Sequence, residues 1–510
     1  MLKLVPNTQT GSLTDHERGT SDTLIGADSG NDILFGDAFS MFDHSRGGND
    51  TLIAGAASMS ALYGDAFEMH NHARGGNDQL LGHDNSSNFL VGDASLMDGH
   101  ARGGDDHLTG GQDAFNELFG DAYEMRGHAH GGDDTLNGGG GIFLPSGDPS
   151  VTVYGDAFEM HDHSRGGNDT LSAGFALHVV LYGDAHTMAD DSRGGDDALT
   201  GGPVSLGGTN DLFGDAFEMH DHARGGDDQL GGGAGSFLNF LYGDARVMDG
   251  DSRGGNDSLT GVGINNTLYG DAFEMHDHAR GGDDTLTSSG RSNNLYGDAF
   301  SMSDDTCGGN DTLTGGGAFI ATSLYGDAST MDGNSRGGND TLTGFADTPA
   351  PNVLFGDAGT MDGNSRGGND TLTGGDGSTN FLSGDAFSMS GNARGGDDTL
   401  VSGTGTDHMW GDARVINGVA ASPTAPTGAV VTGADTFVFA PGNGNDDIND
   451  FRQSDGDKID VSAYGFHSLA EMTIIDTGVD TRIEFDATNS VTLIGLSDPI
   501  VLQASDFIFA

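Results

Sequence analysis

Apolar residues are spaced sparsely along this chain, and the spacing is regular. Single leucines flanked by polar residues recur in two settings, Asp-Thr-Leu-Thr and Asn-x-Leu-Tyr, with Gly-rich segments between them. In a strand, successive side chains point to opposite faces, so each setting predicts a short strand with Leu inward and the flanking Thr or Tyr outward. No stretch of the array keeps a helical period. The most complete unit is Leu268-Tyr-Gly-Asp-Ala-Phe-Glu-Met-His-Asp-His-Ala-Arg-Gly-Gly-Asp-Asp-Thr-Leu286. It recurs in 13 copies that start at Leu34, Leu62, Leu90, Leu118, Val153, Leu181, Leu212, Leu241, Leu268, Leu295, Leu324, Leu354 and Leu382. Start-to-start spacings run from 27 to 35 residues, most often 28. Self-similarity on this scale marks a solenoid, in which one repeat cannot bury its core alone but a stack can. The expected fold is all-β: a parallel β-roll or β-solenoid of about 13 repeats, closed by a C-terminal capping β module.

Composition sharpens this picture. Among 510 residues, 78 are Asp or Glu and 20 are Lys or Arg, giving a formal charge of −58, and 90 are Gly. This charge excludes a reader of nucleic-acid phosphates, which needs a basic face, and disfavours anionic membrane surfaces. Crowded carboxylates repel, and bound cations relieve them. The single Cys307 rules out an intramolecular disulfide framework and occupies a position where other copies carry Arg. No stretch is apolar for the ~20 residues needed to span a bilayer, and the N-terminus has no apolar h-region of a cleaved signal peptide.

The chain divides into a lead-in (1–20), the repeat array (21–415), a Pro/Thr/Ala-rich linker (416–431) and a tail (432–510) with alternating strand-like patterns. Longer insertions at 142–152 and 345–352 are expected to be surface loops.

Gly30-Asn-Asp-Ile-Leu34, and the split form Gly36-Asp-Ala38 … Gly48-Asn-Asp-Thr-Leu52, resemble the Gly-Gly-x-Gly-x-Asp-x-Leu-x nonapeptide of RTX (haemolysin-type) proteins. The resemblance covers residues 20–415 and implies a calcium-loaded parallel β-roll. Ca²⁺ takes six to eight oxygens, and Gly turns let backbone carbonyls approach it. The candidate ligands are Asp22 and Asp32, followed by two Asp positions filled in every copy. One is the Asp before Thr-Leu: Asp50, Asp78, Asp106, Asp134, Asp169, Asp197, Asp228, Asp257, Asp284, Asp311, Asp340, Asp370 and Asp398. The other is the Asp of Gly-Asp-Ala: Asp37, Asp65, Asp93, Asp121, Asp156, Asp184, Asp215, Asp244, Asp271, Asp298, Asp327, Asp357 and Asp385. As plain turn residues, these positions would tolerate tight geometry without any metal.

The other half-repeat departs from the family pattern. Two residues before its Leu stand Asn88, Asn116, Asn210, Asn239, Asn266, Asn293, Asn352 and Asn380, with Ser60, Val151, Val179 and Thr322 elsewhere. Stacked Asn amides both donate and accept, so this edge is expected to carry an Asn ladder, with calcium on the opposite edge.

The nine or so residues between the half-repeats carry Met in all 13 copies (Met41 through Met389) and Arg before Gly-Gly in 11. Ala38 and Met41 are spaced as on a helical turn, which places Met over the edge of the roll; the Arg is expected to answer neighbouring carboxylates. Five insertions carry His-x-His: His70/His72, His128/His130, His161/His163, His220/His222 and His276/His278. These are either drifted surface residues or weak zinc or copper sites. Thr-x-Thr at Thr285/Thr287, Thr312/Thr314, Thr341/Thr343 and Thr371/Thr373 would form a flat ladder similar to that of β-solenoid ice-binding proteins, although Thr is also simply a good strand residue.

The tail resembles the C-terminal module of serralysin-type (M10) secreted peptidases through Gly433-Ala-Asp-Thr-Phe-Val-Phe439, Gly442-Asn-Gly-Asn-Asp446, Asp455-Gly-Asp-Lys-Ile-Asp-Val-Ser-Ala-Tyr-Gly465 and the terminal Asp506-Phe-Ile-Phe-Ala510. That resemblance implies a cap on the roll, a type I secretion signal and an extracellular or cell-surface location. It does not imply proteolysis, because no His-Glu-x-x-His, Gly-x-Ser-x-Gly or P-loop occurs.

The expected protein is a non-enzymatic, secreted, calcium-binding RTX repeat protein that folds on Ca²⁺ outside the cell. It would serve as an adhesin, matrix or surface-layer component, with calcium, the type I secretion machinery, itself or cell-surface polysaccharide as partners, and with neither nucleic acid nor an inserted membrane among them. The alternatives are an ice- or crystal-binding solenoid and a secreted polysaccharide-acting enzyme with a site on the solenoid face.

Overall fold

In a computed structural model, the described residues are 11–28, 31–56, 59–140, 150–203, 208–317, 321–347, 350–496 and 501–510. The insertions at 142–152 and 345–352 lie partly outside them. The chain is an all-β parallel solenoid of about 14 turns, divided into two compact units, residues 1–265 and 266–510.

Within the first unit a turn has three strands, for example Thr51–Ile53, Met59–Tyr63 and Ala66–Met69. Each strand pairs in parallel with its equivalent one turn on: Leu52 with Leu80, Leu62 with Leu90, Ala94 with Ala122 and Met97 with Met125. The core is a thin stack of these residues. Leu52, Leu62, Ala66 and Met69 are fully buried, as are Leu80, Leu90, Ala94 and Met97 on the next turn. Ser12–Leu13, inside the lead-in, already pairs with Ser40–Met41.

The third strand corrects the expectation of a helical Ala/Met turn over the edge of the roll. Ala and Met are three apart, yet both face the core, because the ladder slips between them: the N–H groups of Phe67 and Glu68 both donate to the carbonyl of Phe39. This bulge-like irregularity changes which face the following residues address. Met therefore closes the third side of the core instead of covering an edge. The Tyr of Leu-Tyr was expected to face solvent, but it is shielded by stacking. Tyr154 and Tyr182 lie 4.9 Å apart within a continuous ring column, each less than a tenth exposed.

Two small-residue columns follow from backbone geometry. The turn after Met places one residue at positive φ in each of the eight copies of the first unit, and that residue is Asp, Asn or Gly: Asp43, Asn71, Gly99, Gly127, Asp162, Asp190, Asp221 and Gly250. These are the residues that tolerate the left-handed region. The second Gly of Gly-Gly is fixed by close approach between turns, since a Cβ on Gly76 would lie 1.4 Å from the carbonyl oxygen of Gly48.

The second unit repeats the same three-strand turn, with Leu313 on Leu342, Leu324 on Leu354 and Met331 on Met361. Its tail continues two of the three sheets. Thr436–Val438 adds to Thr399–Val401 and is followed by Lys458–Asp460 and then Phe507–Ile508. Asn445–Ile448 adds to Thr406–Trp410 and is followed by Ser490–Leu493. The third sheet ends where Val419–Ala420 turns back antiparallel on Ala413–Ile416. Wider residues fill the tail core, including Phe437, Phe439 and Phe451, all fully buried. No helix among the described residues is long and apolar enough to cross a membrane.

Because Met160 is fully buried, Met160→Ala should cost about 2–5 kcal/mol of stability. Denaturant unfolding of the folded chain measures this. A loss below about 0.5 kcal/mol, the range of ordinary surface substitutions, would place Met outside the core.

Candidate metal centre: two buried aspartate rows

The two Asp positions of the repeat converge on one corner of the turn. In the first row, each carboxylate accepts the backbone N–H of the equivalent residue one turn earlier: Asp50 N–H to Asp78 Oδ1 at 2.6 Å, Asp78 to Asp106 at 2.6 Å, Asp106 to Asp134 at 2.6 Å and Asp134 to Asp169 at 2.7 Å. In the second row, each accepts from the Gly-Gly turn that follows it: Gly48 N–H to Asp37 at 2.6 Å, Gly76 to Asp65 at 2.8 Å and Gly104 to Asp93 at 3.0 Å. The same pattern runs through the second unit, as in Asp311 to Asp340 at 2.7 Å and Gly309 to Asp298 at 2.7 Å.

Most of these carboxylates thereby use one oxygen and leave the other over, while Asp37 and Asp121 accept at both. Asp50 Oδ2, Asp78 Oδ2, Asp106 Oδ2, Asp65 Oδ1, Asp93 Oδ1, Asp340 Oδ2 and Asp357 Oδ2 are among many that are buried without a hydrogen-bond partner. Buried carboxylate oxygens are costly unless something compensates them. They face small oxygen-lined cradles made possible by glycine. A Cβ on Gly64 would lie 1.7 Å from the Gly92 carbonyl oxygen and 2.2 Å from Asp78 Oδ2, and one on Gly36 would meet Gly64 O and Asp50 Oδ2 in the same way. The donors are all hard oxygens, carboxylate and carbonyl, as Ca²⁺ requires. No cluster of three or more His, Cys, Asp or Glu side chains that could hold a metal forms among the described residues, so a cation here would draw on backbone carbonyls as well.

Burial is the main force on these groups. It pushes the carboxyl of Asp50 up to about 7, that of Asp78 to about 9 and that of Asp93 to about 6, with neighbouring carboxylates adding to the rise at Asp50 and Asp78. Asp65, Asp106 and Asp169 are raised well above the ordinary range by burial and then by the Asp residues beside them. In the second unit burial raises Asp298 to about 6 and Asp385 to about 7.

Of the sequence-derived ligands, Asp22 stands at the start of the first row, donating its N–H to Asp50 Oδ1 at 2.5 Å. Asp32 does not join the rows. It pairs with Ser60 on the strand that carries the Asn ladder, so Asn31–Leu34 belongs to the opposite corner despite the match to the nonapeptide. The ladder itself forms, with Asn88 Nδ2 donating to Asn116 Oδ1 at 2.8 Å, Asn210 to Asn239 at 2.9 Å and, in the second unit, Asn352 to Asn380 at 2.7 Å. Val151 and Val179 fill the same position with buried methyl groups.

The rows also run further than the repeat count suggested. Asp398 N–H donates to Asp435 Oδ1 at 3.0 Å and Asp435 N–H to Asp457 at 3.2 Å, while Gly433 N–H donates to Asp412 at 2.6 Å. The signals were present in Gly411-Asp-Ala413, Ala434-Asp435-Thr-Phe437 and Gly456-Asp457-Lys-Ile459, but a changed hydrophobic partner and an irregular period hid them. At this end the chain supplies its own cation. Arg452, 4% exposed, places Nη1 3.6 Å from Asp412 Oδ2 and 3.8 Å from Asp455 Oδ2.

The repeat Arg residues do not play that part, contrary to expectation. Arg46, Arg74, Arg102, Arg165 and Arg193 are exposed and make no ion pair among the described residues. The His-x-His pairs do not converge as chelates either. Asn71, at φ 61°, splays the first pair. His70 binds Asp98 at 2.9 Å and Glu68 at 3.3 Å, while His72 stacks between His44 and His100. His220 and His222 divide in the same way around Asp221, His220 onto Asp249 and Glu218 and His222 towards Asp251. Cys307 takes its place in the Arg column, bridging Arg280 and Arg336.

The raised carboxyls fix the sign of a pH effect. An unfolded Asp titrates near ~3.9, so between there and about 6–9 the folded chain holds more protons than the unfolded one, and metal-free stability falls as pH rises. The metal-free chain, without β-sheet signal at neutral and alkaline pH, should regain β-sheet circular dichroism on acidification towards pH 5. A signal that stays flat or falls as the pH is lowered over that window would contradict the assignment of these rows as buried.

No protein-family profile, no curated protein and no solved structure matches this chain. Its chemistry is therefore read from its own geometry.

Proposed function

We propose that this chain is a calcium-binding, RTX-like repeat protein that is exported and folds on Ca²⁺ outside the cell, acting as a non-enzymatic structural or surface-interaction protein. The observation that carries this reading is the run of orphaned carboxylate oxygens facing glycine cradles along both Asp rows. Arg452 supports it, because the chain places a cation of its own beside Asp412 at the end of the rows. Calcium bound between turns would neutralise the rows, and its binding free energy would appear as folding free energy. At low cytosolic calcium the −58 charge would keep the chain expanded and suited to export.

Circular dichroism with and without a calcium chelator tests this. The calcium-loaded chain should show a β-sheet signal that excess EGTA abolishes and calcium restores. Asp106→Asn keeps an oxygen for the Asp78 N–H but removes the charge, and should raise the calcium concentration needed for folding. An unchanged spectrum in EGTA would overturn the proposal.

A second reading, binding to ice or a crystal face, is favoured by one feature of the second unit. Thr285, Thr312, Thr341, Thr371 and Thr399 stack in register, beside Thr287, Thr314, Thr343 and Thr373. In the first unit the equivalent row is broken by Gln79, His107 and Ala198. Thermal hysteresis in the calcium-loaded protein, lost in Thr341→Leu/Thr343→Leu, would support this reading; its absence would exclude an ice-binding role.

A further inference from the structure

Two columns of rings run side by side along the first unit. The inner one, from the residue after each Leu, includes Phe119, Tyr154 and Tyr182, stacked at 4.7 and 4.9 Å. The outer one, from the residue after each Ala, includes Phe39 stacked on Phe67 at 5.2 Å and Tyr123 on Phe158 at 5.1 Å. Between Phe67 and Tyr123 the outer column holds Ser95, since Ala94 pairs with Ala66 on one side and Ala122 on the other. One ring is missing there, and two strand spacings separate Phe67 from Tyr123 by about 10 Å. The ring partners of Phe67 lie on its own turn and the one before, and those of Tyr123 on its own turn and the one after. The faces towards Ser95 are thus uncovered, and Tyr123 is 39% exposed where Phe158, inside the column, is half-buried. Carboxylates surround this slot. Burial, and then Glu159, Glu117 and Glu124, raise the pKa of the Tyr123 hydroxyl. Glu68, next to Phe67, is held by His70 at 3.3 Å, and Glu124, next to Tyr123, by Arg126 at 3.3 Å.

The second unit shows what fills such a gap. Its inner column lacks a ring at Ser383, which pairs with Phe355 on one side and Trp410 on the other. The guanidinium of Arg414 takes the missing place. Its Cζ lies 5.0 Å from the Phe355 ring and 4.8 Å from the Trp410 ring, and its Nε donates to Ser383 Oγ at 2.9 Å. A planar cation between two ring faces is attracted by both. Among the described residues, no Arg of the chain lies over Phe67 or Tyr123.

We propose that the slot at Ser95 binds the guanidinium of an arginine presented by a cationic partner peptide, held between Phe67 and Tyr123 as Arg414 is held between Phe355 and Trp410. The Ser95 hydroxyl accepts one of its N–H groups, in the role of Ser383. The formal charge of −58 draws cationic chains to the surface. The slot then selects the planar cation, because a lysine ammonium has no face to stack. In the second unit the outer column is interrupted at both Ser329 and Gly359, on successive turns, a gap too wide to grip one planar group. The inference goes beyond the surface-interaction reading and stands on the ring columns, not on calcium.

Titration calorimetry of the full folded chain tests this with two peptides of equal charge, acetyl-Lys-Gly-Arg-Gly-Lys-amide and the same peptide with Lys in place of its Arg. The wild-type chain should bind the Arg peptide about five-fold tighter or more. Ser95→Phe supplies the missing ring at unchanged charge; it should weaken the Arg peptide by about ten-fold and erase the difference between the two peptides. Tyr123→Leu removes one wall and should act in the same direction, which keeps the test intact if Ser95→Phe does not fold. Ser95→Ala leaves the slot open without its hydroxyl and should cost about five-fold or less. Circular dichroism of each variant separates loss of fold from loss of binding. A chain that folds without calcium serves equally, so failure of the calcium reading and failure of the slot are read separately. Wild-type affinity in folded Ser95→Phe would mean attraction by charge alone and overturn the proposal. So would equal affinity for the two peptides, or no binding by the folded wild-type chain.

Discussion

The structure depends on how two columns of carboxylates are accommodated inside it. Two unit charges one strand apart, about 4.8 Å, repel by roughly 3.5 kcal/mol even at an effective dielectric of ~20. A few such contacts match the whole 5–15 kcal/mol of net stability typical of a domain, and each row here extends through many turns. The backbone N–H groups that donate to Asp65, Asp78 and most of their equivalents satisfy only one oxygen each. Either protons or cations must therefore occupy the corner, and among the described residues the chain's own provision is Arg452 beside Asp412. Glycine is essential to this arrangement, since any side chain at Gly36 or Gly64 would fill the space the oxygens face.

Much of the fold could be read from the sequence because a solenoid writes each structural position many times. The two leucine strands and the pairing of Asp rows with Gly-Gly turns rest on repetition through the 13 copies, and the Asn ladder on eight of them. The third strand was missed for a physical reason. Ala66 and Met69 show a spacing of three that suggests a helix, and only the ladder slip at Phe67 and Glu68 turns both inward. Asp32 shows the reach of register. Its local motif matches a calcium turn, and register with Ser60 assigns it to the other corner, where its Oδ2 is likewise buried without a partner beside Gly26. Motif identity gave the residue type, and the stacking partner one turn away gave its surroundings.

The same logic separates the inside of the turn from the outside. Inward positions hold a narrow set of residues, because a change there must fit against identical neighbours above and below. The Asp, Asn or Gly column at positive φ is equally constrained, by backbone conformation rather than packing. Outward columns are free to vary along the axis, and they do: imidazoles in the first unit give way to Asn334, Asn364 and Asn392 in the second, while threonines that stack in isolated pairs in the first unit form a longer run in the second. A common three-strand turn thus presents different surfaces in the two units.

The central claim is that divalent cations occupy the aspartate corner of each turn. Equilibrium dialysis against radioactive calcium at neutral pH, with the proton release measured in parallel, addresses it most directly. The account predicts calcium on the order of one ion per turn, with protons released as calcium enters, because the raised carboxyls must ionise to bind it. Binding of no more than one or two ions per chain, or full loading with no protons released, would contradict it.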